Sequence, residues 1–219
     1  MDFQFAALQN LNAASLGGST LHQALGLETG GARRRKGQAS LAALAKRVSR
    51  WRWLVIDEIS MVSAKLLAQI DTKLRSLVHA HGTYKQGADG MDRPFGGLNV
   101  LFVGDFFQLD PPSKDIAICK VPDEEIRLAK AFAPAPTAAH GQQLFWGGPS
   151  VGVQGVHELT TPWRCRDTWL LEVQEQCRYG ALSKDNYNFL HGLETEGAGS
   201  TIGEEVSCGI NHCRNFKDT

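Results

Sequence analysis

The chain has almost no imbalance of charge: Lys and Arg number 23 and so do Asp and Glu, over 219 residues. No overall field therefore draws it to nucleic acid or to an anionic membrane, and any basic contact surface has to be local. No apolar run approaches the roughly 18 residues of a membrane span and no signal-peptide pattern occurs, so neither a membrane-spanning nor a secreted protein is expected. Cysteine is sparse and irregular. Cys119, Cys165, Cys177, Cys208 and Cys213 are odd in number and scattered, which argues against a disulfide framework and for a reducing intracellular compartment. The stretch "CGINHC" (208–213) has no second ligand pair at zinc-site spacing, so it reads as a free-thiol loop. Internal repeats are absent too.

What is present is enough apolar sequence, 42%, for one full core or for one domain and part of another. Strand-like runs alternate with helical stretches, the pattern of a sheet covered by helices on both faces. Residues 3–27 read as a strand or loop and then a helix, with Gly17 and Gly18 as breakers and Ser19 or Thr20 capping "LHQALGL". "GARRRKG" (31–37) reads as an exposed loop, a solvated one before a phosphate-binding one. Leu41, Leu44, Ala45 and Val48 recur at helical spacing, and Trp53–Ile56 make a continuous apolar strand of the kind buried on both faces. A second helix starts at Ser63, its inner side Leu66, Leu67, Ile70, Leu74 and Leu77. "AFAPAPTAAHG" (131–141) reads as a flexible, proline-marked connection, Trp163 and Trp169 as packing residues, and 197–219 as a poorly ordered tail.

Two segments carry chemistry. "WRWLVIDEIS" (51–60) is an apolar strand ending in adjacent acids, Asp57 and Glu58, and "LNVLFVGDFFQLDPP" (98–112) is another that ends in a Gly-Asp turn. In a parallel α/β sheet, ligands bind outside the carboxyl ends of the strands, so Asp57, Glu58 and Asp105 are expected on one rim while Leu54–Ile56 and Val100–Val103 stay buried. One carboxylate placed there suits Mg²⁺, and its neighbour suits the orientation or deprotonation of an attacking water in phosphoryl transfer. The alternative is that the two acids cap the following helix or face solvent.

The order of the pieces resembles the superfamily 1 DNA helicases, in particular the petite-integration-frequency (PIF) branch and its RecD-type relatives. "NAASLGGSTLHQALGL" is similar to the family's single-strand-binding motif Ia, "LVIDEISMVSAKLLAQIDTKLR" to its Walker B segment, "FGGLNVLFVGDFFQLDPP" to motif III, and "LTTPWRCRDTWLLEVQEQCRYGAL" to motif IV and the helix after it. The resemblance runs from about residue 8 to residue 192. It implies an incomplete α/β domain, a RecA-like P-loop NTPase motor with a mostly parallel sheet flanked by helices. Residues 1–157 would be part of the first motor domain, 158–195 the hinge towards a second, and 196–219 a tail.

On single residues the resemblance implies that Asp57 coordinates Mg²⁺ and Glu58 activates the water that attacks the γ-phosphate of ATP. Gln108 would sense that phosphate, with Asp105 in the same nucleotide-binding turn, and Arg164 would stabilise charge developing on it. Thr20 and His22 would contact single-stranded DNA. Taken one at a time, Gln108 is also a surface glutamine, Arg164 a partner for Asp167 and Thr20 a helix cap. The function implied is 5′ to 3′ DNA unwinding in replication, repair, recombination or telomere maintenance, on single strands and duplex junctions, in the nucleus or mitochondrion of a eukaryote. Two departures stand out. Asp110 separates Gln108-Leu109 from the two prolines, and no G-x-x-x-x-G-K-[ST] phosphate loop occurs. The chain alone is therefore expected not to turn over ATP, and a catalytically silent module that binds single strands or another protein is the alternative.

Overall fold

The computed structural model describes residues 3–15, 17–27, 38–78, 86–87, 90, 92–112, 115–120, 137–148 and 151–193. The chain divides into two compact units, Met1–Val156 and His157–Thr219. The basic loop at 31–37, the segment 121–136 and the tail with its Cys-His-Cys cluster lie outside the described residues.

The first unit is built on a parallel sheet of β1 (Phe3–Ala7), β2 (Ser19–Thr20), β3 (Trp53–Asp57) and β4 (Asn99–Phe102), in the order β2-β1-β3-β4. Its helices are α1 (Asn10–Ser15), α2 (Leu21–Leu25), α3 (Gln38–Val48), α4 (Ala64–Leu77) and α5 (Ala138–Trp146). The helix starting near Ser63 begins there because Ser63 caps it, its hydroxyl accepting from the Leu66 N–H. Leu67, Ile70 and Leu74 of α4 are wholly buried, as are Leu54 and Ile56 of β3 and Leu21 and Leu25 of α2. Each such side chain contributes about 1.5–3 kcal/mol relative to exposure, which makes this cluster the main stabilising term of the unit.

Among the described residues, only one face of the sheet has this cover. Ala6, Leu54 and Ile56 belong to the core, with Val100 and Phe102 packed on it. The alternate residues Phe3, Phe5, Trp53, Leu101 and Val103 stay between 38% and 51% exposed, and Phe3 stacks on Trp53 with centroids 5.9 Å apart. Leu54, Val55 and Ile56 are buried as expected, but the expectation of burial on both faces is corrected at Trp53 and in the strand after it, where Leu101 and Val103 are exposed. A strand apolar on both sides records that it can be covered twice, whereas the elements that reach it decide whether it is.

Among the polar residues buried with the core is Asp71 of α4, at 0% exposure. Its carboxylate accepts from Arg75 Nε at 2.7 Å, lies 3.1 Å from His140 Nε2 on α5, and accepts the Phe95 N–H. Burial alone would raise its pKa; the hydrogen bonds from His140 and Arg75 and from the Phe95 backbone outweigh that and hold it below the ordinary 3.8. One carboxylate thereby ties α4 to α5 and pins the turn Pro94–Gly97, in which Phe95 has φ 54°, just before β4. The stretch 131–141 is not wholly a connection: Ala138–Gly141 form the first turn of α5, capped by the Thr137 hydroxyl. The prolines that suggested a loop all precede it.

The second unit has α6 (Thr168–Arg178) and α7 (Lys184–Leu190), capped by Asp167 and Ser183. Buried Asn186 joins them, accepting from Trp169 Nε1 at 2.8 Å and donating to Gln176 and Glu172. Trp169 also meets Phe189 edge to face at 4.2 Å, the packing role expected of it. Trp163, by contrast, is 87% exposed. No helix among the described residues is long and apolar enough to cross a membrane.

Candidate active site

Because every strand runs the same way, all their carboxyl ends come to one rim. Ala7 pairs with Thr20 on one side and with Asp57 on the other, so the end of β2, the end of β1 and the first acid of the pair stand in a row. At the ordinary strand spacing this sets Thr20 and Asp57 about 10 Å apart at their backbones. Past β4 the ladder continues. Val103 donates to the Ile56 carbonyl at 2.9 Å and Ile59 donates to the Val103 carbonyl at 3.0 Å, which lays the Gly104-Asp105 turn against the Asp57-Glu58 turn.

Both turns are unusual in backbone. Glu58 has φ 54° and ψ 51°, a left-handed conformation that costs a residue with a side chain about 1–2 kcal/mol. That reversal ends β3 and starts the 3-10 turn Ile59–Met61, whose residues are buried while Asp57 and Glu58 remain half-buried. The helix cap that the bland reading assigned to the acids is supplied by Ser63 instead. Gly104 makes the second approach possible: a Cβ there would sit 2.8 Å from the Ile59 nitrogen and 3.4 Å from the Glu58 carbonyl carbon. Its φ of 149° also favours glycine.

Asp105 organises the loop that follows. Its Oδ1 accepts the Phe107 N–H at 2.9 Å and its carbonyl accepts the Gln108 N–H at 3.1 Å, an Asx-type turn that presents an exposed Gln108 beside the rim. Asp110 is exposed one residue before the buried Pro111. No group of three or more His, Cys, Asp or Glu side chains able to hold a metal gathers among the described residues. A single half-buried carboxylate fits Mg²⁺, which takes one or two protein carboxylates and fills its octahedron with water and substrate phosphates.

At the other end of the row, Thr20 caps α2 in a capping box: its hydroxyl accepts the Gln23 N–H at 3.2 Å while Gln23 Oε1 accepts the Thr20 N–H at 3.4 Å. The hydroxyl proton is not used by the cap. A Cβ on Gly18 would lie 2.3 Å from the Phe5 carbonyl oxygen, so the second glycine of "GGST" is what lets β2 close on β1. His22, half-exposed in the first turn of α2, follows directly. Asp57, Glu58, Asp105, Gln108, Thr20 and His22 thus all belong to the first unit, at or just past the strand ends. Arg164 belongs to the second, on the exposed stretch preceding α6. Sequence reasoning missed Asp71, although an acid inside the stripe Leu67, Ile70, Leu74 was its signal.

The chain matches the family model described as PIF1-like helicase over residues 6–123. It is 37% identical to the ATP-dependent DNA helicase PIF1 of Saccharomyces cerevisiae over 112 residues, 50% of this chain and 12% of that protein. With the ATP-dependent DNA helicase RRM3 of the same species the identity is 29% over 182 residues, 82% of this chain and 21% of that one. Among solved structures, Bacteroides Pif1 helicase in complex with ADP-AlF3 and single-stranded DNA matches with a TM-score of 0.61 and 25% identity, over 92% of this chain and 42% of that chain. The chain therefore spans a small part of the curated relatives that it matches.

Proposed function

The chain belongs to the PIF1-like helicase family, and on that premise we propose that it is the central part of an ATP-dependent DNA helicase motor, carrying the hydrolytic acids, the nucleotide-sensing loop and part of the single-strand track. The observation that supports this best is the packing of the Gly104-Asp105 turn on Glu58-Ile59, which couples the metal and water residues to the loop holding Gln108.

In this reading Asp57 holds Mg²⁺ and Glu58 orients and deprotonates the attacking water. The metal, when bound, neutralises charge on the β- and γ-phosphates of ATP. Asp105 keeps Gln108 at the γ-phosphate, and in the complete helicase Arg164 stabilises the charge that develops in transfer. Thr20 donates its hydroxyl proton to a DNA phosphate, and His22 meets a phosphate or a base. The first unit acts as part of one motor domain and the second as the hinge towards another. Single strands and duplex junctions are the partners, polarity is 5′ to 3′, and the compartments are those that hold DNA, the nucleus or mitochondrion in a eukaryote.

The test is ATP turnover with and without single-stranded DNA, by the complete helicase and by the 219-residue chain, each beside Glu58→Gln. DNA-stimulated turnover by the complete helicase that Glu58→Gln removes is the expected result. The chain alone, without a phosphate loop to supply backbone donors and a lysine, is expected to bind single strands in a salt-dependent way and to hydrolyse nothing. Silence from the complete helicase refutes the motor reading.

A further inference from the structure

Helix α5 lies outside the stretch matched by the family model, yet it touches both ends of the loop that carries Gln108. At the loop's start, the Phe106 ring meets Phe145 of α5 edge to face, centroids 5.7 Å apart. Phe145 in turn packs on Phe102 at the end of β4, at 5.4 Å. At the loop's far end, Trp146 Nε1 donates to the Ile118 carbonyl at 2.8 Å and Gln142 Nε2 donates to the Lys120 carbonyl at 3.0 Å. The helix is itself packed closely on α4. Gly141 stands so close to Ala64 that a Cβ would fall 1.7 Å from its carbonyl oxygen, and His140 is held by the buried Asp71 carboxylate.

We propose that α5 is a clamp that positions the nucleotide-sensing loop, with Phe145 as the positioning residue that sets Asp105 and Gln108 against the Asp57-Glu58 rim. Three features carry this. The loop from Val103 to Lys120 contains no helix or strand of its own among its described residues. Phe106, 36% exposed, sets its ring against Phe145 of α5 directly after Asp105. The contacts are also stereospecific, edge-to-face rings and directed N–H bonds, so they fix an orientation rather than simply filling volume. Phe145 reaches no reacting group itself. It acts through Phe106, one residue from Asp105 and two from Gln108.

This inference rests on the helicase reading for its catalytic consequence but not for its structural one, and the experiment separates the two. In the 219-residue chain, amide hydrogen exchange is compared between the wild type, Phe145→Ala and Phe145→Tyr, which keeps the ring. Phe145→Ala is expected to speed exchange at Phe107 and Gln108 while Leu54–Ile56 and the amides of α4 keep their protection; Phe145→Tyr is expected to restore the wild-type pattern. In the complete helicase, Phe145→Ala is expected to lower kcat for ATP about three- to tenfold, the worth of one or two aromatic pairs, with KM for ATP little changed, as for a loop aligned less often. Unchanged exchange at Phe107 and Gln108, or a uniform rise across the sheet, overturns the clamp whatever the protein does. Local loosening with no change in kcat, beside a Gln108→Ala variant that does lose turnover, overturns its role in catalysis; if Gln108→Ala is equally silent, the assignment of Gln108 fails and the clamp's catalytic role fails with it.

Discussion

Replacing Gly104 by alanine tests whether the two turns of the rim are packed as described. The added Cβ would lie 2.8 Å from the Ile59 nitrogen and 3.2 Å from Ile59 Cγ2, and the backbone at φ 149° is one that side chains rarely adopt. Overpacking of this kind costs about 1–3 kcal/mol. The conformational penalty adds about 1–3 kcal/mol, partly offset by roughly 0.4–1 kcal/mol from a stiffer unfolded chain. A net loss of about 2–4 kcal/mol is therefore expected in urea unfolding of the 219-residue chain, with faster amide exchange at Ile59, whose N–H bonds the Val103 carbonyl. Gly148→Ala is the control, since Gly148 has φ 85° but nothing within 4 Å of an added Cβ, leaving only the backbone penalty. In the complete helicase, Gly104→Ala is expected to depress ATP turnover more than DNA affinity, because it moves the Gln108 loop, the proposed nucleotide sensor, relative to Glu58. If Gly104→Ala costs no more than Gly148→Ala and leaves Ile59 exchange unchanged, the close approach does not exist and the coupling inferred from it falls.

Asp71→Asn is expected to cost about 3 kcal/mol near neutral pH, since it strips a buried charge from Arg75 and His140. With the folded pKa below 3.8, the carboxylate's contribution is present in full above the unfolded pKa and is lost as pH falls through the folded value; the gap between wild type and Asp71→Asn should stay level above about pH 5 and close in acid, and a gap that widens in acid would contradict the assigned sign. Thr20→Asp keeps a good cap but sets a negative charge where the proposed single-strand contact lies, so unfolding should be nearly unchanged while single-strand affinity drops; Thr20→Ala should lose about 1 kcal/mol of stability as well. If both bind DNA like the wild type, Thr20 is a cap only. Arg164→Ala in the complete helicase is expected to lower kcat about a thousandfold with single-strand binding nearly intact; a parallel loss in both measurements points to misfolding.

Local patterns were sufficient for much of this molecule. The run Trp53–Ile56 ending in two acids, the cap at Ser63 before a 3.6-residue apolar stripe, and glycines beside Thr20 are statements about neighbours in the chain, and neighbours are what a sequence records. The same holds for the order of the four segments that identify the family. What the linear pattern could not supply is whatever depends on a partner distant in sequence. Asp71 reads as a lapse in the stripe of α4 until His140, 69 residues on, and the Phe95 N–H arrive to share its charge. Trp53 and Leu101 read as buried because strand residues apolar on both sides look alike, covered or not; the tertiary arrangement leaves both of them exposed. Gly104 reads as one member of a turn, and its need to be glycine comes from the Ile59 nitrogen, 45 positions away, which the sheet brings under it. Chain chemistry thus determined which residues stand at a strand end, and the parallel ladder, by carrying every strand end to one side, decided that they stand together.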